Sequence, residues 1–173
     1  DAATQRNLEI LKSMREDGKE GTLLAVLDET VTAMGGRQLR QWLVTPLTSP
    51  SEITKRQDAV EEWLSRRNDG ENARELFREV SDLERLAGRI GCGTVNARDL
   101  AALRATLRML PKLKEIIASF KSHAVRDCAE TWDNMKDIEE ILARAIVQEP
   151  PLTLREGGLI REGYSPELDE LKK

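Results

Sequence analysis

The sequence predicts a mainly α-helical bundle with one small β-hairpin near its C-terminal end, and three observations carry this. Helix-start signatures recur at Ser49-Pro50-Ser51-Glu52, Ser81-Asp82-Leu83-Glu84 and Ser165-Pro166-Glu167. Each places a capping side chain ahead of the free N–H groups of a first turn, with proline or acids where the helix dipole favours them. Between these starts, apolar residues fall at the three- and four-residue spacing of a single helix face. Only Leu152-Thr153-Leu154-Arg155 alternates as a strand does.

Taken in order, Leu8 and Leu11 belong to a short amphipathic segment that ends around Asp17-Gly18. From Thr22, Leu24, Leu27, Val31 and Met34 make one stripe that Leu39 and Leu43 resume after Gly35-Gly36, a bend or close-packing point. The helix opened by Ser49-Pro50 carries Ile53, Val60 and Leu64 on its buried face, with Gln57 where an apolar residue would fit, and Asn68-Asp69-Gly70 closes it. A short helix holds Leu76 and Phe77. The start at Ser81 then buries Leu83, Leu86, Ala87 and Ile90 before Gly91-Cys92-Gly93 ends it.

Asn96-Ala97-Arg98-Asp99 opens a long stripe through Leu100, Leu103, Leu107 and Leu110, which Pro111 is expected to kink or break before Leu113, Ile116 and Ile117. A polar loop around His123 follows. The last full helix carries Met135, Ile138, Leu142 and Ala145 and stops at Glu149-Pro150-Pro151. Residues 152–164 read as a hairpin and turn, with Glu156-Gly157-Gly158 turning and Leu159-Ile160-Arg161 returning. Residues 165–173 read as the start of a helix that is cut short, because a start this strong ordinarily runs past two turns. That unfinished helix, together with a beginning at Asp1 rather than Met, predicts a piece of a longer parent chain.

At 173 residues the chain is about one domain, 1–173. The balance of 27 Lys+Arg against 31 Asp+Glu and an aromatic content of 3% speak against an autonomous nucleic-acid binder. Cys92 and Cys128 lack metal-ligand spacing, and a single His123 cannot complete a zinc site. No stretch approaches the roughly eighteen apolar residues of a membrane span. Reduced thiols and a cytoplasmic location are expected.

Candidate chemistry is sparse. Arg37 and Arg40 near Trp42 offer either a phosphate-contacting patch or a solvated face with Trp42 packed inward, and the acidic balance favours the second. Arg85 and Arg89, one turn apart, either grip an acidic partner surface or pair with neighbouring Glu84 and Asp82. His123 between Lys121 and Arg126 permits a phosphotransfer reading. Gly157-Gly158 reads as a turn, not a nucleotide loop. Glu9, Glu16 and Asp17 have no nucleophile or metal constellation beside them and read as solvated acids. The segments able to bend are marked by Gly35, Gly36, Pro111, Gly157, Gly158 and Gly163.

Several ordered blocks resemble one family. Asp1-Ala2-Ala3-Thr4-Gln5-Arg6-Asn7-Leu8-Glu9-Ile10 is one, and Leu24 through Gly35 with Arg37, Leu39, Arg40, Trp42, Leu43, Pro46 and Leu47 is another. Asp82-Leu83-Glu84-Arg85-Leu86 with Gly88-Arg89-Ile90, Arg98-Asp99-Leu100, Glu149-Pro150-Pro151-Leu152 and Glu156 through Tyr164 follow in order. Together they resemble the first part of the core, or lever, domain of bacterial MutS, the DNA mismatch-repair ATPases. The departures are Gln57 and the stretch 121–133.

The resemblance implies a parent in which this segment joins a mismatch-reading domain and a connector to a clamp and an ATPase. That parent would dimerise, bind mismatched double-stranded DNA, work with other mismatch-repair proteins and become a sliding clamp on ATP exchange. The helix begun at Ser165-Pro166 resembles the root of the lever. The segment itself is then a non-catalytic helical relay holding no cofactor, with ATP and magnesium belonging to the ATPase of the parent. The phosphate-loop pattern GxxxxGK[ST] does not occur in this sequence. Phe77-Arg78-Glu79 spells the family's mismatch-wedging Phe-x-Glu by letters but lies in the core-domain region. The alternative is a free-standing helical adaptor or a His123 phosphotransfer module.

Overall fold

Helix caps and two buried polar side chains, Thr22 and Thr106, fix most of the framework. The structure, a computed structural model, describes residues 2–14, 18–151 and 153–171. The chain divides into two compact units. One holds the residues up to Arg78 together with Lys121–Ala124, and the other holds Glu79–Phe120 with the residues from Val125 onward.

The first unit contains α1 (Ala2–Asn7), α2 (Leu23–Leu27), α3 (Ala33–Val44), α4 (Pro50–Ser65) and α5 (Arg67–Arg78). α1 is shorter than expected and Leu8 is exposed; the expected end at Asp17 lies outside the described residues. Beyond it, the N–H groups of Leu23 and Leu24 donate to the carbonyls of Glu9 and Ile10 at 3.1 and 3.0 Å. Thr22, fully buried, caps α2 by accepting from the Ala25 N–H at 3.1 Å while its hydroxyl donates to the Lys19 carbonyl at 2.7 Å.

The stripe from Leu24 to Met34 is interrupted before the glycine pair and not at it. Asp28 Oδ1 accepts from the N–H and hydroxyl of Thr30 at 3.2 and 2.6 Å, a local turn that competes with helix and ends α2. Thr32 then caps α3 through the Gly35 N–H at 2.9 Å. A Cβ on Gly35 would lie 2.9 Å from Thr32 Oγ1, so the glycine serves close packing in the first turn of α3.

Two expectations for α4 and α5 are corrected. Ser49 sits at the N-cap of α4, but its hydroxyl meets Ser51 Oγ at 3.0 Å and Glu52 pairs with Lys55 at 2.8 Å, so no capping box closes and Pro50 begins the helix. Asn68-Asp69-Gly70 does not end a helix; it forms the first turn of α5. Arg66 pairs with Asp69 at 2.8 Å, and the Gly70 N–H returns to the Arg66 carbonyl at 3.1 Å, which restarts the helix after one residue.

The second unit contains α6 (Leu83–Gly91), α7 (Ala97–Ile117), most of α8 (His123–Thr131), α9 (Lys136–Ala145) and α10 (Pro166–Leu171). Asp82, not Ser81, caps α6 through the Arg85 N–H at 3.2 Å. Asn96 and Asp99 close a full capping box on α7, both bonds at 2.9 Å. Its core is Leu107, Leu142, Ala145 and Ile146, with Leu100, Leu103, Leu110 and Ile160 packed around it. A fully buried Leu such as Leu107 contributes about 1.5–3 kcal/mol. Met135 falls outside the helix it was expected to join; it is the left-handed N-cap of α9.

Three further expectations change here. α7 runs through Pro111 without a break. A proline inside a helix costs about 3 kcal/mol, and buried Leu107 and Leu113 on either side hold the turn in place. His123 opens α8 and does not lie in a loop. The hairpin is not formed among the described residues, and Leu152 lies outside them. Leu154–Glu156 make a 3₁₀ turn, because Glu156 Oε1 accepts from the Thr153 N–H and hydroxyl at 3.0 and 2.8 Å. The returning residue, Ile160, makes a single antiparallel bridge with Ile146 at the end of α9.

Glu62 on α4 accepts from the N–H groups of Lys121 and Ser122 at 2.7 and 2.8 Å and so ties the 121–124 segment into the first unit. Desolvation pushes its carboxyl up, but the Ser122 and Lys121 bonds and the Arg66 charge outweigh it, and the pKa lies below the ordinary 4.5. A lowered folded pKa gives stability that is present above the unfolded value and lost as pH falls through the folded one. The Lys121 and Ser122 amide proton shifts are therefore expected to titrate together with a midpoint below 4.5, and to stop titrating in Glu62→Gln. A midpoint at or above the ordinary value, or an unchanged titration in the variant, would contradict the tie.

Candidate functional site

The polar side chains of greatest structural consequence gather where the chain leaves α9 and heads for α10. α7 presents Arg104 one residue after Leu103 and three before Leu107, which places its guanidinium on the apolar face. It is 4% exposed. It donates to the carbonyls of Ile146, Val147 and Gln148 at 2.8, 3.3 and 3.4 Å. One turn and a half earlier on the same helix, Arg98 Nε donates to the Pro150 carbonyl at 3.1 Å. The exit segment is thus held by arginines on backbone oxygens, where a sheet would use strand pairing.

From the other side, Arg161 Nε donates to the same Ile146 carbonyl at 3.0 Å. Its own N–H donates to the Ala145 carbonyl at 2.9 Å, and the Val147 N–H reaches the Leu159 carbonyl at 3.1 Å. Of these oxygens, those of Ala145 and the C-cap Ile146 belong to the C-terminal end of α9, where the helix dipole is negative and favours cations. Desolvation, and then the charges of Arg108 and Arg161, lower the Arg104 pKa from its usual value; Glu139 opposes them. Glu139 is itself paired with Arg108 at 2.7 Å. The entry to this unit hangs on the same helix, since the Ser81 N–H donates to buried Thr106 Oγ1 at 2.9 Å.

α10 begins as its residues imply. Ser165 Oγ accepts from the Leu168 N–H at 3.4 Å, and Asp169 Oδ2 reaches back to the Gly163 N–H at 2.7 Å. Gly157, Gly158 and Gly163 all have positive φ, between 68° and 82°, which suits glycine in the turns that lead to the helix. Gly35 and Gly36 lie in the first turn of α3 and Pro111 lies within α7.

A second surface lies in the first unit. Val60 and Leu64, expected to be buried by the stripe of α4, are 58% and 66% exposed. With Trp42, Pro46, Leu47 and Ile53 they line an apolar groove between α3 and α4, which Gln57 also borders. Trp42 does not pack inward; it is 43% exposed with the Arg56 guanidinium 4.0 Å over its ring, a cation–π contact of about 0.5–1 kcal/mol at such a site. Phe77 faces a neighbouring groove with Met34 and Trp63, and Arg78 pairs with Glu75.

The other singled-out residues do not converge. Arg89 pairs with Asp99 at 2.9 Å and donates to the Thr94 carbonyl; Arg85 lies in the same α6–α7 cleft. His123, Cys92 and Cys128 are exposed. Glu9 accepts from Ser13 and Met14, and Glu16 and Asp17 lie outside the described residues. Among the described residues no group of three His, Cys, Asp or Glu is placed to hold a metal. Arg104 was missed in the sequence because an arginine in a helix reads as solvated. The signal was its place on the leucine face.

Removing Arg104 leaves the Ile146 carbonyl with Arg161 alone and the Val147 and Gln148 carbonyls to whatever water reaches them, and it empties the space of a buried side chain beside the leucines. Arg104→Ala is expected to lower the unfolding free energy, measured in urea, by about 1–3 kcal/mol. Arg104→Lys, which keeps the charge but not the fork, should fall between. A loss under about 0.5 kcal/mol in the alanine variant, the size of an ordinary surface substitution, would remove Arg104 from this role.

The MutS domain III family profile matches residues 3–173. The chain is 43% identical over 172 residues to the DNA mismatch repair protein MutS of Ruminiclostridium cellulolyticum, covering 99% of this chain and 20% of that protein. It is 44% identical over 172 residues to the protein of the same name from Bacillus subtilis, with 99% and 20% covered. For the Myxococcus xanthus protein of that name the figures are 44% over 171 residues, with 99% and 19% covered. The chain therefore spans about a fifth of the length of these relatives. On a match across nearly all its residues, this chain belongs to the MutS domain III family.

Proposed function

We propose that this chain is the relay segment of a DNA mismatch repair protein, a non-catalytic helical body that carries the nucleotide state of an ATPase to a DNA clamp. Its parent binds mismatched double-stranded DNA, dimerises, works with other mismatch-repair proteins in the cytoplasm, and holds ATP and magnesium in its ATPase part. Residues 1–173 act as the first part of the core domain, and α10 is the root of the lever. Bending is assigned to Gly35, Gly36, Gly157, Gly158 and Gly163, whereas Pro111, inside the unbroken α7, moves with that helix.

The observation that supports this most is the buried Arg104 clamp on the 146–148 carbonyls. A close-packed helix pair deforms little, so α7 and α9 with their clamped exit move as a body, and displacement at one end reappears at the other. The exposed apolar face of α4, with Val60 and Leu64, gives neighbouring domains of the parent a surface to pack on. Among the described residues no helix is long and apolar enough to cross a membrane. The adaptor or phosphotransfer reading rests on His123 alone, which is exposed at the first residue of α8.

In the full-length parent, Arg98→Ala is expected to leave mismatch affinity without nucleotide, and ATP hydrolysis without DNA, within about twofold. The same variant should slow ATP-driven conversion to the sliding state by about fivefold or more, the size of an ordinary allosteric coupling. Equal losses of binding, hydrolysis and thermal stability would instead mark a folding defect. Unchanged conversion would contradict the relay.

A further inference from the structure

The Ile146 carbonyl is shared by two guanidinium groups of unlike exposure. Arg104 reaches it from within the core at 2.8 Å, and Arg161, on the exposed side, reaches it at 3.0 Å. A carbonyl oxygen has two lone pairs and can accept both. When Arg161 leaves, Arg104 still satisfies that oxygen, and the exposed guanidinium returns to water. Departure of Arg104 has no such outlet.

Charge pushes the same way. Arg104, Arg108 and Arg161 lie close enough for the latter two to lower the Arg104 pKa, whereas the one nearby acid, Glu139, is held by Arg108. Among the described residues neither Arg104 nor Arg161 is within ion-pair distance of a carboxylate. Past the exit that Arg104 and Arg98 hold at 147–150, the path to Arg161 is tied by a 3₁₀ turn and by one isolated bridge with its two main-chain bonds, Val147 N–H to Leu159 and Arg161 N–H to Ala145, and glycines of positive φ at 157, 158 and 163 punctuate it. On its far side Arg161 is tied to α10, because its carbonyl accepts from the Tyr164 N–H at 3.2 Å and Gly163 is bonded to Asp169.

We infer that Arg161 is a detachable latch: with Arg104 it pins the root of α10 to the end of α9 through one carbonyl, and its release frees residues 153–164, and with them the Leu159 carbonyl that holds the Val147 N–H, while α7, α9 and the exit held by Arg104 and Arg98 stay packed. The purpose of such a latch rests on the relay reading, but its existence is a property of this chain alone. Amide hydrogen exchange reads it directly, since local opening and global unfolding are separate events. In Arg161→Ala the Val147 amide is expected to exchange about tenfold faster or more, with amides of 101–117 and 139–145 unchanged within about twofold.

Arg161→Lys should fall between that variant and the native chain, and Arg104→Ala should speed exchange across the whole unit. Acceleration throughout α7 and α9 in Arg161→Ala would make Arg161 an ordinary structural support and overturn the latch. No acceleration at Val147 would overturn it as well. Local opening together with unchanged ATP-driven conversion in the parent would contradict the relay reading while leaving the latch supported.

Discussion

A guanidinium buried on backbone oxygens is the constraint around which the second unit is organised. Arg104 brings a full charge into a leucine-lined interior with no carboxylate in ion-pair reach among the described residues, and its compensation comes from carbonyl dipoles at the negative end of α9. That arrangement fixes the direction in which the chain leaves α9, because the main chain at 146–148 supplies the acceptors. Ile146 then enters the core beside Leu107 and Leu142, and Ile160 is drawn against it. Thr106, two residues further along α7, holds the incoming chain at Ser81. One helix thus secures both the way in and the way out.

Much of this could be read from the residues, and the failures have a common cause. Starts were legible to within a residue: Asn96-Ala97-Arg98-Asp99 and Ser165-Pro166 open helices as read, the start read at Ser81 falls to Asp82, and Ser49-Pro50 opens α4 without its capping box. Signals that depend on what packs against them were not. Pro111 looked like a break, yet buried neighbours on both sides carry α7 past it. Asn68-Asp69-Gly70 looked like a stop, yet the Arg66–Asp69 pair turns it into a start. The alternation at 152–155 looked like a strand, but Glu156 folds back on Thr153 and the returning Ile160 finds the end of α9 instead.

The same distinction separates the candidate sites. The family resemblance was carried by ordered blocks along nearly the whole chain, and the MutS domain III match covers the same span. The residues that anchor the exit could not be found by asking which side chains do chemistry, because Arg98, Arg104 and Arg161 act on the main chain. The α4 stripe gave the opposite error. Its spacing was helical as read, but Val60 and Leu64 face solvent instead of a core, so apolar periodicity fixed the helix without fixing its neighbour.

The central claim is that α7, α9 and the clamped exit move as one body while the path to α10 yields. Hydrogen exchange of the full-length parent on mismatched DNA, with and without ATP, tests it most directly. The account predicts that ATP leaves the amides of 101–117 and 139–145 unchanged and alters exchange at Val147, whose partner is Leu159, and between 153 and 171. Loss of protection within α7 and α9 on ATP binding, with the exit segment unaffected, would contradict it.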